Sequence, residues 1–100
     1  MNDKLLSLLG IARRAGRLSL GFDVAAEAMR SGKSSLLLLA DDLSERTMRN
    51  ITETARQTDT QTIVLNISME QLGGSVGKAV VIISVNDAGF AKKMKTLCTE

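Results

Sequence analysis

The sequence predicts an α/β fold: a three-layer α-β-α sandwich around a four-stranded mixed, mainly parallel sheet. Three observations carry this expectation. Short β-prone runs alternate with segments of helical periodicity along the chain. The run Leu36 to Ala40 is apolar at every position, as a strand covered on both faces requires. No Pro-rich or Ser/Gly-rich linker interrupts the chain and no repeat of fixed period is visible, so residues 1–100 read as a single domain.

The elements follow in order. Asn2 or Asp3 is placed to cap a first helix whose apolar stripe is Leu5, Leu8, Leu9 and Ala12, and Gly16 is placed to end it. Arg13 and Arg14 fall on its last turn, where the helix dipole favours cations. A short strand is expected over Arg17 to Leu20. Gly21-Phe22-Asp23 then turns into a second helix with Val24, Ala25, Ala28 and Met29 facing inward, ended by Gly32. After the strand from Ser35 to Ala40, Ser44 opens a third helix with Met48, Ile51, Thr52 and Ala55 on its inner face. Gln61 to Asn66 is expected as a third strand. Ser68 to Leu72 reads as a short helix ended by Gly73-Gly74, and Ala79 to Val85 as a fourth strand. Asn86 or Asp87 opens the last helix, with Phe90, Met94 and Leu97 on one face.

Composition narrows the function classes. The formal net charge is +2 and the pI about 9.0, which permits a nucleic-acid partner without requiring one. The sequence has no His, so the commonest general base and metal ligand are missing, and no metal or cofactor site is expected. The lone cysteine, Cys98, makes no internal disulfide and fits a reducing, cytoplasmic setting. The Leu-rich start carries its positive charge after the apolar run, unlike a secretory signal, and no stretch is long enough to span a bilayer.

Several motifs have two readings. Ser31-Gly32-Lys33-Ser34 resembles the end of a phosphate-binding P-loop, but it follows a helix and precedes a strand, the reverse of that motif's context. A helix C-cap followed by a solvated lysine explains it better. Gly73-Gly74-Ser75-Val76-Gly77-Lys78 is a second phosphate-like stretch, readable as a plain turn or as a binding loop. Asp41-Asp42 after a buried strand could bind a cation, but helix capping by Asp42 or Ser44 is the simpler role. Arg46, Arg49 and Arg56 form a solvated helix face, with Arg49 spaced to pair with Glu53. At Gly21-Phe22-Asp23, outward N–H groups could receive a phosphate or be satisfied by Asp23 as cap. Phe22 could stack on a base or plug the core.

Taken in order, these pieces resemble the kink-turn-binding ribosomal protein superfamily of the L7Ae and L30e type, and most closely its bacterial YlxQ-like branch. The resemblance runs from about Leu5 to Leu97. It is carried by Gly21 opening a helix, by Arg30-Ser31-Gly32-Lys33, and by the apolar strand leading into Ala40-Asp41-Asp42. Further on it is carried by Ser44 to Thr47, by Leu72-Gly73-Gly74-Ser75-Val76-Gly77, and by Asp87-Ala88-Gly89-Phe90-Ala91-Lys92.

The resemblance implies a non-catalytic, monomeric, cytoplasmic RNA-binding protein, associated with the ribosome or other structured RNA. In that family the first turn typically reads Gly-x-Asn-Glu-x-x-Lys, and its polar residues read sheared G·A pairs. Here Gly21 is retained, while Asp23, Val24 and Glu27 stand at the Asn, Glu and Lys positions. Asp lacks the amide donor, Val cannot accept from a guanine edge, and Glu reverses a charge beside the phosphates. The family's second RNA-contacting loop maps onto Gly74, Ser75, Val76 and Gly77. Lys33 and Lys78, with Arg13, Arg14 and Arg17, are the candidate phosphate ligands, and Gly21, Phe22 and the 75–77 loop the candidate base or sugar contacts. The competing expectation is a protein-interaction module that kept the fold and lost kink-turn recognition.

Overall fold

In the computed structural model, which describes residues 2–99, helices and strands alternate throughout. They are α1 (Asn2–Arg14), β1 (Leu18–Leu20), α2 (Phe22–Arg30), β2 (Leu36–Leu39), α3 (Glu45–Gln57), β3 (Thr62–Val64), α4 (Met69–Val76), β4 (Ile82–Val85) and α5 (Ala88–Cys98). The four strands form one sheet in the order β1-β4-β2-β3.

Helices cover both faces of the sheet, as the apolar run predicts. Leu36 and Leu38 pack with Leu5 and Leu9 of α1, Leu72 of α4 and Met94 of α5. Leu37 and Leu39 face the other way, onto Ala25, Ala26 and Met29 of α2 and Ile51 and Ala55 of α3. All four β2 leucines have no exposed surface, so each removes its full apolar area from water. The α-β-α sandwich and the mixed sheet are therefore observed.

The expectation of a mainly parallel sheet is corrected. Only β2 and β3 run parallel, whereas β4 is antiparallel to both β1 and β2. The cause lies in the β3-to-β4 connection. A β-α-β unit is parallel only when the connection carries the chain back to the end where the first strand began. Here β4 starts beside the ends of β1 and β2, with Leu20 opposite Ile83 and Leu39 opposite Ile82. The α4 helix has eight residues, about 12 Å of rise, and residues 77–81 then lead into β4 at the end from which β3 left.

The α4 boundary is a second correction. It runs through Gly73 and Gly74 and stops at Gly77, whose φ of 82° forms a left-handed cap. Two glycines weaken a helix by about 1 kcal/mol each relative to alanine. Tertiary contact offsets this: a Cβ on Gly73 would stand 3.3 Å from the Ala79 Cα, so the glycine lets the returning chain pack closely. Burial of Leu72 and Val76 holds the helix to the core.

Local chemistry fixes the other ends. Gly16, at φ 73°, ends α1, with its N–H bonded to the Arg13 carbonyl and the Arg17 N–H to that of Ala12, both at 3.0 Å. Asn2 lies inside α1, and its side-chain amide donates to the Asn66 carbonyl at 3.1 Å instead of capping the helix. Ser44 caps α3, and Asp87 caps α5 through the Phe90 N–H. Glu53 pairs with Arg56 at 3.0 Å, not with Arg49, and this hydrogen bond holds its carboxyl below the usual range.

Candidate nucleic-acid interface

The strand register gathers four connections at one end of the sheet. Leaving β1, the Gly21 N–H donates to the Ile82 carbonyl at 2.9 Å; leaving β2, the Ala40 N–H donates to the Val81 carbonyl at 2.9 Å. The end of β3 lies there too, through the bond from the Asp41 N–H to the Ile67 carbonyl. Because β4 is antiparallel to β1, its start beside Lys78 to Val81 shares this end with the start of α2. The direction that overturns the parallel expectation is thus what brings the Gly21 turn and the segment after Gly77 to the same end.

Gly21 is the N-cap residue of α2, at φ 112° and ψ 169° with no side-chain cap. Such torsions are essentially confined to glycine. Asp23 is therefore not the cap of this helix. The first bond back is from Ala25 N–H to the Gly21 carbonyl. Among the described residues no protein acceptor takes the N–H groups of Phe22, Asp23 or Val24. They carry the partial positive charge of a helix N-terminus.

The side chains here turn outward. Phe22 is 36% and Val24 51% exposed, while Ala25, Ala26, Ala28 and Met29 fill the core side of α2. This corrects the expectation that Val24 faces inward: at 100° per residue it shares the solvent side with Asp23 and Glu27. Those three residues line a shallow groove of about 290 Å³ that runs past Ser19 and Ser31 to Lys33. Lys33 itself follows the far end of α2, with its N–H on the Ala28 carbonyl. It is in the same groove as Asp23 but not beside Gly21.

The second predicted loop divides into three environments. Val76 is only 4% exposed and belongs to the core, so it offers no surface to a ligand. Ser75 is half-buried, and its hydroxyl donates to the Leu6 carbonyl. Gly74 and Ser75 line a groove of about 460 Å³ between α1 and α4, with Gly10, Arg14 and Gln71. Of the predicted loop residues, Gly77 and Lys78 lie on the turn that leads to β4, and both are exposed. The expected loop contracts to these two because Gly73 and Gly74 are helical.

Sequence reasoning also missed a role for Asp42. Its Oδ1 accepts from the Met69 N–H at 2.9 Å, so it caps α4 across 27 positions of sequence, beside the Ser68–Gln71 capping box. Capping by Asp42 was foreseen, but of the following helix; only the tertiary fold reveals which helix it serves. Electrostatically this end is acidic. Asp23, Asp41, Asp42, Glu45 and Glu70 outnumber the cations Arg46 and Lys78 on these segments.

Comparison with known proteins gives a consistent result. Residues 3–95 match the family described as ribosomal protein L7Ae/L30e/S12e/Gadd45. The chain is 30% identical over 95 residues to the RNA-binding protein YlxQ of Enterococcus faecium, covering 95% of this chain and 91% of that one. It is 34% identical over 91 residues to the RNA-binding protein YlxQ of Bacillus subtilis (strain 168), covering 90% of each. Among solved structures, a protein of unknown function from Bacillus halodurans C superposes with a TM-score of 0.91 at 33% identity, covering 97% and 98% of the two chains. The Giardia lamblia 15.5kD RNA binding protein superposes with a TM-score of 0.80 at 14% identity, covering 96% of this chain and 85% of that one, a likeness of fold.

Proposed function

The chain belongs to the ribosomal protein L7Ae/L30e/S12e/Gadd45 family, and from that premise we propose that it is a non-catalytic, monomeric RNA-binding protein of the cytoplasm. It recognises structured RNA of kink-turn-like or ribosomal type. Gly21, Phe22, Asp23, Val24 and Glu27 form the primary contact, joined by Gly77 and Lys78. The observation that carries this reading is the β1/β4 register, which sets the unsatisfied N–H groups of α2 at the same sheet end as the Gly77–Lys78 turn. A phosphate accepts from the former, Lys78 adds a cation, and exposed Phe22 offers a ring for a splayed base. The names of the bacterial relatives agree with this chemistry.

Asp23, Val24 and Glu27 alter the specificity. None can reproduce the amide donor, guanine acceptor and cation expected of a standard kink-turn reader. RNA held here is therefore recognised more through backbone N–H groups and shape than through those side chains. The test is binding to a kink-turn RNA and to ribosomal RNA fragments across a salt series. Saturable, salt-sensitive binding to at least one structured RNA is expected. The combined change Asp23→Asn, Val24→Glu and Glu27→Lys should raise kink-turn affinity at least tenfold, about 1.4 kcal/mol. Absence of saturable binding by the parent protein contradicts the proposal.

One observation favours a second reading. The apolar side chains of Phe22 and Val24 are exposed amid an acidic end, which suits a basic protein partner. A pull-down repeated with RNase separates the two: a partner retained after digestion supports direct protein binding, and one lost supports an RNA bridge.

A further inference from the structure

The sheet end opposite Gly21 has the reverse charge. There Arg17 precedes β1 and its carbonyl accepts from the Asn86 N–H. On the other side of β4, the Ser35 N–H donates to the Val85 carbonyl, so Arg17 and the Lys33–Ser35 segment flank the end of one strand. Two strand spacings separate their backbones, about 10 Å. Arg13 lies on the last turn of α1 and Arg30 on the last turn of α2, whose far ends also lie here on opposite faces of the sheet, with Arg17 and Lys33 between them. A polar chain ties the two flanks together. The buried Ser84 hydroxyl lies 2.8 Å from that of Ser34 and donates to Asn86 Oδ1 at 2.6 Å, while the Asn86 amide donates to Ser19 at 2.8 Å.

One opposing acid, Glu27, lines the Lys33 groove one turn before Arg30, and the remaining opposing acids are partly occupied. Asp87 caps α5 with one oxygen and stands 3.9 Å from the Arg17 Nε with the other. Asp59 lies on the turn after α3, and Glu53 is held by Arg56. Among the described residues, no carboxylate comes within 4.0 Å of Arg13, Arg30 or Lys33. Helix dipoles account for basic residues in last turns, and so for Arg13 and Arg30. They do not account for Arg17 and Lys33, which lie outside the helices.

We propose that Arg13, Arg17, Arg30 and Lys33 form a second RNA contact, a phosphate-binding surface at the opposite end of the sheet from Gly21. This rests on the RNA-binding reading above and extends it. A membrane surface would call for a broad apolar face among the cations, whereas here only Val24, at the far end of the Lys33 groove, and Ile11, before Arg13 on α1, are exposed large apolar neighbours. The nine residues of α2 separate the two ends by about 13 Å. One phosphate cannot bridge that distance, so the RNA either wraps the edge beside α2 or presents a second segment. The Gly21 end then sets preference among RNAs, and the basic end adds affinity that is indifferent to sequence.

The experiment compares the full chain with the variant Arg13→Gln, Arg30→Gln, Lys33→Gln on one structured ribosomal RNA fragment and one kink-turn RNA, from about 50 to 200 mM salt. Arg17 is left in place because it neighbours the α5 cap. A control variant, Lys92→Gln, Lys93→Gln, Lys95→Gln, removes the same charge from α5, and circular dichroism verifies that each protein is folded. Each lost phosphate contact lowers the slope of log K against log salt by about 0.7–0.9, so the patch variant should lose about 2 from that slope. Its relative preference between the two RNAs should be unchanged, and the control should lose markedly less. A patch variant with the parental slope, or a control with an equal loss, overturns the proposal while leaving RNA binding at the Gly21 end intact. No salt-sensitive binding by the parent protein overturns the RNA reading and this proposal with it.

Discussion

At φ 112° and ψ 169°, Gly21 occupies torsions that a side chain makes costly, although no atom would obstruct its Cβ. The constraint is in the backbone alone. Gly21 must turn the chain from β1 into α2 while its N–H stays bonded to Ile82. Gly21→Ala is therefore expected to destabilise the fold by about 1–3 kcal/mol, measured by urea denaturation at equilibrium. An unchanged midpoint would show that the turn relaxes to ordinary torsions. That a turn opens α2 here was legible in sequence, but the glycine-only torsions of its cap were not, because Asp23 offered an ordinary capping side chain. Nor was the outward turn of Val24. An apolar residue in the first turn of a helix suits either side, and the neighbouring alanines took the core positions.

The elements themselves follow mostly from local signals. Ser44, Ser68 and Asp87 cap the helices they precede, and β2 is apolar throughout because both its faces are covered. Where sequence reading failed, the deciding contact was distant in sequence. The continuation of α4 through Gly73-Gly74 depends on the close approach of Ala79, and strand direction depends on which sheet end the chain returns to. Alternation of helix and strand encodes order, not direction. Asp42 links two such elements by capping α4 from the end of β2. Asp42→Ala should cost about 1 kcal/mol. In hydrogen exchange, α4 amides should lose protection more than those of α3. Equal loss in both helices would mean that Asp42 acts on its own loop instead.

At the scale of the molecule, the charge on α1 to α4 is polarised along the sheet. The first turns of α1, α2, α3 and α4 carry Asp3, Asp23, Glu45 and Glu70, whereas the last turns of α1, α2 and α3 carry Arg13, Arg14, Arg30 and Arg56. This arrangement complements each helix dipole and stabilises the fold modestly. It also leaves the Gly21 end with exposed N–H groups set among carboxylates, so on the proposed reading RNA there is selected by geometry more than by net charge. Each charged residue was visible in the sequence, but their gathering at two ends was not, since it depends on the antiparallel placement of β4. The most direct test of the proposed RNA-contacting edge is amide chemical-shift mapping of the chain titrated with a structured ribosomal RNA fragment at low salt. Saturable shifts at Gly21, Phe22, Asp23, Gly77 and Lys78 are expected. RNA binding that leaves these five amides unmoved, or no binding at all, would contradict the account.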